Sequence, residues 1–264
     1  MPSDTHLDAA RELARAEQES VRGKLDAYDQ FVSRVQDLPL ESSHPGQRAP
    51  ALSAGGAQSS GSAASTKTGC ASVRAAFRDT IRPYSVEDID DDEPLLETIR
   101  SELSDSIAVA LAPTTDAGFT SGLRDAIVAA VESRRVEAYA MQAGLDAEID
   151  ELAAASETLD PILTWLLDAD ETPLTALDFD ELRVRHAKLG AHRERCAQLL
   201  ADRQAFLDRA TKHAGQAGMR HRTLVRYLYA DLPVVFPVLS AGVRVETLCA
   251  DAQRAVRDHL TRRV

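Results

Sequence analysis

The sequence predicts an all-α protein, an elongated antiparallel helical bundle with coiled-coil-like long helices. Three observations carry this. Of the 264 residues, 44% are hydrophobic but only 5% aromatic, so the apolar content leans on small residues that suit close helix–helix packing. Apolar positions recur at spacings of three, four and seven over long stretches, and no segment keeps a period-two alternation. A chain of this length makes one large domain or two modest ones.

The first helix is expected from Thr5 to Leu38, opened by a capping box at Thr5 and Asp8 and stopped by Pro39. Leu7, Ala14, Val21, Tyr28 and Val35 repeat every seven residues, with Leu25 and Val32 in the paired row and Arg11 and Gln18 breaking its early half. Such a stripe, about 50 Å long at 1.5 Å per residue, needs a partner helix. The face Val21, Leu25, Tyr28, Val32 and Val35 is therefore the candidate partner-helix surface, in the same chain or another.

Residues 39–69 change composition to Ser, Gly, Ala and Pro with hardly a bulky side chain. They cannot offset their ordering entropy and read as a disordered linker spanning roughly 30 Å. The expected organisation is thus an N-terminal amphipathic helix (1–38), this linker, and a helical domain over 70–264. A short helix from Cys70 to Arg82 presents Val73, Phe77 and Ile81 and ends at Pro83. After an acidic loop, Pro94 starts a helix carrying Leu96, Ile99, Leu103, Ile107 and Leu111. The longest pattern runs from Thr120 to Leu159, where Asp160-Pro161 either kinks it or starts a fresh helix around Trp165. Asp178 and Glu181 form the best-specified start, a capping box opening a helix to about Lys212. A short helix, 221–230, and a final one from about Leu239 to Arg262 complete the set.

The order of several short motifs resembles an uncharacterised family of haloarchaeal helical proteins. These are Val73-Arg74 with Phe77-Arg78-Asp79-Thr80, Phe119-Thr120 with Leu123, Asp178-Phe179-Asp180-Glu181-Leu182, Arg203-Gln204, and Tyr227-Leu228-Tyr229 before Pro237-Val238-Leu239. They span about residues 70–260, with the leading helix. Arg82-Pro83-Tyr84 keeps only part of the segment usual before the acidic loop. The resemblance implies an all-helical fold and a salt-adapted cytosol, and no activity.

Composition points the same way. The chain has 42 acidic residues against 30 Lys and Arg, a net charge of −12, with Lys only at 24, 67, 188 and 212. Short carboxylates with almost no Lys suit a protein kept soluble in concentrated salt; a GC-rich genome is the ordinary alternative. Cys70, Cys196 and Cys249 are odd in number and form no CxxC pair, which excludes a disulfide framework and fits a reducing cytosol. The first 30 residues are charged throughout, unlike a signal peptide. The longest apolar run, Leu232–Val243, is shorter than the about 20 residues a bilayer span needs.

Candidate chemistry is sparse. The acidic loop at Asp88, Asp90, Asp91 and Asp92 fails as a calcium loop. Counted from Asp88, position six is Glu93 rather than Gly and position twelve is Ile99. His192 and Cys196 share a helix face, but no third metal ligand is placed, so a core Cys beside a partly exposed His is expected. His213 and His221 match no ligand spacing. Nucleophile-elbow, zincin, P-loop and dinucleotide motifs are absent. Residues 183–264 carry a net +9 and the rest −21. Arg220, Arg222 and Arg226 beside Tyr227 and Tyr229 form a candidate nucleic-acid patch, against which stand pairing with the acidic helices and the loss of phosphate affinity in salt. The expected function is a non-enzymatic, cytoplasmic interaction or scaffold protein without cofactor, holding a protein partner or self-associating through helices. Nucleic-acid association through the basic C-terminal third is the alternative.

Overall fold

A computed structural model describes residues 6–40, 62–85, 94–115, 118–209 and 220–262, with side chains from residue 68 onward in the second stretch. Among these residues the regular elements are helical throughout: α1 (Leu7–Gln36), α2 (Ser62–Asp79), α3 (Leu95–Glu102), α4 (Asp105–Ala110), α5 (Ser121–Asp170), α6 (Phe179–Asp208), α7 (His221–Leu228) and α8 (Pro237–Arg262). Short 3-10 turns lie at Arg82–Tyr84 and Leu174–Ala176. No described helix is long and apolar enough to cross a membrane.

The chain forms two compact units, Met1–Glu19 with Ala140–Val264, and Ser20–Tyr139. They do not follow the expected division into leading helix, linker and main domain. Both boundaries fall inside helices, because α1 and α5 each bury one half of their stripe in one unit and the other half in the other.

In the first unit, Leu7, Ala10 and Ala14 of α1 join a core with Leu152, Leu159 and Ile162 of α5, Leu189 and Cys196 of α6, and Val245 and Cys249 of α8. Arg11 donates to Ser156 Oγ at 2.9 Å and Gln18 to Asp146, so these segments of α1 and α5 run antiparallel. The two residues that interrupt the stripe are thus polar ties along it. α6 and α8 are also antiparallel. Gln253 donates to the His186 carbonyl at 3.1 Å, and Arg193 reaches Glu246 at 2.8 Å. Gly242 lets them approach closely, since a Cβ there would stand 2.9 Å from Leu200 Cδ2.

In the second unit, Tyr28, Phe31 and Val35 of α1 pack with Val73, Phe77 and Ile81, with Ile99 and Ile107, and with Phe119, Ile127 and Val131. Phe31 and Phe77 meet edge-to-face with centroids 5.7 Å apart, a favoured aromatic geometry.

Several expectations change. α2 starts at Ser62 rather than Cys70, so residues 62–69 of the expected linker are helical; residues 41–61 of it lie outside the described residues. The single helix expected after Pro94 is two, because Ser104 breaks it. Its extended backbone and side chain, accepting from Ile107 N at 3.2 Å, cap α4. α5 neither ends nor restarts at Pro161 but continues to Asp170, 50 residues in all. Leu159 and Ile162 on either side are fully buried, and their packing outweighs the backbone bond that proline cannot make. The Asp178–Glu181 capping box is present in both halves, each at 2.8 Å. Thr5, the acidic loop Asp88–Asp92 and His213 lie outside the described residues.

Candidate functional site

Three constellations stand out from the apolar packing. The first is buried in the first unit, between α5, α6 and α7. Glu148 occupies a stripe position of α5 among Leu145, Ile149 and Leu152, and is fully buried. Arg203 stands between Leu199 and Phe206 on α6 and is 1% exposed. Its Nη2 donates to Glu148 Oε1 at 2.7 Å, and the Tyr229 hydroxyl donates to the same oxygen at 2.9 Å. Glu151 Oε2 lies 3.7 Å from Arg203 Nη1. The guanidinium also lies over the Phe206 ring at 5.0 Å, and the same ring meets His221 with centroids 4.2 Å apart and the Arg209 guanidinium at 5.8 Å.

Electrostatics follow from burial. Desolvation, joined by Glu148, pushes the Tyr229 phenol well above its ordinary range and keeps it a neutral donor. Burial lowers His221; Glu148 opposes this while Arg203 and Arg209 add to it. Burial also raises Glu151, against the pull of Arg203. Chemically the cluster is a charge-assisted tie among three helices. It carries no activated nucleophile.

A second tie of the same kind lies in the other unit. Glu102, ending α3, accepts from Lys24 at 2.9 Å and from the Tyr28 hydroxyl at 3.0 Å. Arg134 of α5 donates to the Glu102 carbonyl at 2.7 Å and to the Ser101 carbonyl at 2.6 Å. Burial opposes ionisation of Glu102, but hydrogen bonds from Lys24, Ser85 and Tyr28 prevail and hold it below the usual carboxylate range.

The third constellation is an open corner where α5 ends, the Leu174–Ala176 turn passes and α6 begins. Trp165, the only tryptophan of the chain, stands there half-buried. One ring face meets His192, with centroids 5.0 Å apart, and Lys188 Nζ lies 5.5 Å from the ring centroid. On one side opens a groove of about 600 Å³ whose wall includes Trp165, Ala169, Leu177 and Val184. On the other a smaller pocket of about 190 Å³ reaches between α5, α6 and α8 to Leu189 and Val256.

The residues singled out by sequence separate. Val21, Leu25, Tyr28 and Val35 are buried and Val32 half-buried, with Tyr28, Val32 and Val35 packed on the second unit's core. The proposed partner-helix face therefore meets helices of its own chain and is no free docking surface. A heptad stripe cannot say whose helix covers it. Arg220, Arg222 and Arg226 are exposed around the start of α7, with Arg222 paired to Asp208 at 2.8 Å; Tyr227 is exposed beside them, whereas Tyr229 is buried. Cys196 is a core thiol as expected, but His192 is buried at 5% exposure rather than partly exposed, because Trp165 covers it. Among the described residues no three His, Cys, Asp or Glu side chains gather as a metal site.

Sequence reasoning missed Glu148, Arg203 and Tyr229. The signal was present as charges of opposite sign at stripe positions of two different helices, where exposure is not expected.

A family model described as domain of unknown function (DUF7260) matches residues 5–253. The chain belongs to this family. The DUF7260 match takes in both ties and Trp165 itself, and stops within α8, short of Ala255 and Val256 of the smaller pocket. It agrees with the resemblance to an uncharacterised all-helical family. No curated protein and no solved structure matches the chain.

Proposed function

We propose that the protein is a non-enzymatic interaction protein that holds a protein partner at the corner around Trp165. The observation that carries this reading is the groove of about 600 Å³ against a half-buried tryptophan. Val184, in its wall, is 65% exposed. A concave, charge-rimmed surface that leaves a tryptophan and an aliphatic side chain open to solvent marks a protein contact. Buried charges, by contrast, are here spent on joining helices. The carboxylate-rich, Lys-poor composition supports a haloarchaeal origin and work in the concentrated salt of a reducing cytosol.

A photo-crosslinking amino acid at Val184, compared with one at the exposed Val109 of the second unit, tests the reading in the native host at native salt. A defined partner band from position 184 and none from 109 is expected. No band at 184, or the same bands from both positions, removes it.

The exposed trio Arg220, Arg222 and Arg226 supports nucleic-acid association as the second reading. It requires a shift of labelled DNA or RNA in molar salt that is lost when all three are changed to Gln.

A further inference from the structure

We infer that the corner at Trp165 recognises a basic segment of its partner, which inserts one large apolar side chain into the smaller pocket; this rests on the interaction reading above. The pocket's size and lining define the anchor. About 190 Å³ compares with the roughly 150 Å³ apolar cavity that takes up benzene, so one aromatic ring or branched aliphatic chain fits. The lining includes the large apolar side chains of Trp165, Leu166, Leu174, Leu189 and Val256, with three alanines that leave space and Asp170, Thr172 and Arg185 as its polar members. An anchor side chain in a desolvated pocket is the usual centre of a protein contact.

Charge selects what flanks the anchor. Asp168, Asp178, Asp180 and Glu181 line the groove on one side of Trp165, and Asp170 lines the pocket on the other. Against these five stand Arg185, shared by both cavities, and Lys188, which lies over Trp165. From Ala140 to Leu182 the chain holds twelve acidic residues and no Lys or Arg. The next residue, Arg183, lies 3.7 Å from Asp180 at the exposed surface and offsets that one carboxylate, so the acids still outnumber the cations around the corner. The C-terminal end of α5 at Asp170 brings the negative end of one helix dipole to the corner and the start of α6 brings the positive end of another. The dipoles offset, and the selectivity rests on the side-chain charges. A cationic partner matches the excess of carboxylates, and an acidic one opposes it. In molar salt the attraction acts only at contact, because the screening length falls to about 3 Å. The apolar anchor then carries most of the affinity and the cations most of the selectivity.

The lone tryptophan supplies the readout. The full chain is titrated with an amidated seven-residue peptide of lysines around a central phenylalanine, in low salt and in 2 M KCl, following Trp165 emission. Two control peptides replace the phenylalanine by alanine or the lysines by glutamates. A saturable emission change with the lysine–phenylalanine peptide is expected, at least tenfold weaker with either control. Ala255→Leu, at an exposed position on the pocket rim, should weaken it at least tenfold while leaving the helical circular-dichroism signal intact. Equal binding of the glutamate peptide, indifference to Ala255→Leu, or no binding overturns the inference. The crosslink at Val184 separates the two claims: if it persists in Ala255→Leu while no basic peptide binds, the corner still holds a partner but not this kind.

Discussion

Glu148 and Arg203 face each other in full burial, 2.7 Å apart, on two antiparallel helices. Tyr229 adds its hydroxyl to the same carboxylate oxygen. A pair so desolvated gains little over apolar residues of the same size, yet leaves a costly orphan when one partner is removed.

Arg203→Met or Glu148→Leu alone should therefore lose about 3–5 kcal/mol. The double variant should recover most of that loss. Urea denaturation of the four proteins provides the cycle. Additive losses would show that the two charges are not coupled.

Histidine titration should weaken the first unit in mild acid. Burial lowers His192, with Lys188 and Arg195 adding to it, and burial lowers His221 against the attraction of Glu148. Both prefer to be neutral when folded, so the unfolded chain binds protons more readily below its ordinary value of about 6.5. Their contribution is present above that pH and is lost as pH falls through the depressed folded values. The urea midpoint should drop between pH 7.5 and 5, and the drop should shrink in a His192→Phe, His221→Phe variant. An unchanged slope in that variant would count against the assignment.

Glu102 has the opposite charge and the same sign of linkage. Its folded value is depressed, so its stabilising effect is present above about 4.5 and disappears as pH falls through the folded value. Glu102→Gln keeps the shape but removes the charge that Lys24 and Tyr28 address. A loss of about 1–3 kcal/mol at pH 7, fading towards pH 3, is expected. A pH-independent loss would point to packing instead.

Phe31 contributes to the second core, fully buried and edge-on to Phe77. Phe31→Ala should cost about 3–5 kcal/mol. Light scattering should give the same mass before and after the change, since this face of α1 is covered by its own chain. A change in oligomeric state would show that the face has a second role.

The helices were legible because their causes are local. The capping box at Asp178 and Glu181 and the spacing of Leu7, Ala14, Val21, Tyr28 and Val35 are read within a few residues. Boundaries were less so where tertiary packing competes with a local signal. Pro161 reads as a break, but buried Leu159 and Ile162 carry α5 past it. Ser104 reads as one polar residue in a stripe, but caps a new helix. Of the candidate sites, the exposure of Arg220, Arg222 and Arg226 was readable from their polarity and the buried tie was not. Glu148 and Arg203 are 55 positions apart, and no periodicity links them.

By itself, the sequence determined an all-α chain, because helical periodicity and caps act over one or two turns and need no partner. The tertiary structure decided who covers what: α1's stripe is met within the chain, two units divide along the middles of α1 and α5, and opposite charges from distant helices meet in the core. It also decided where an apolar surface stays open, at Trp165. These are matters of long-range packing, in which a hydrophobic face specifies that it must be buried but not against which neighbour.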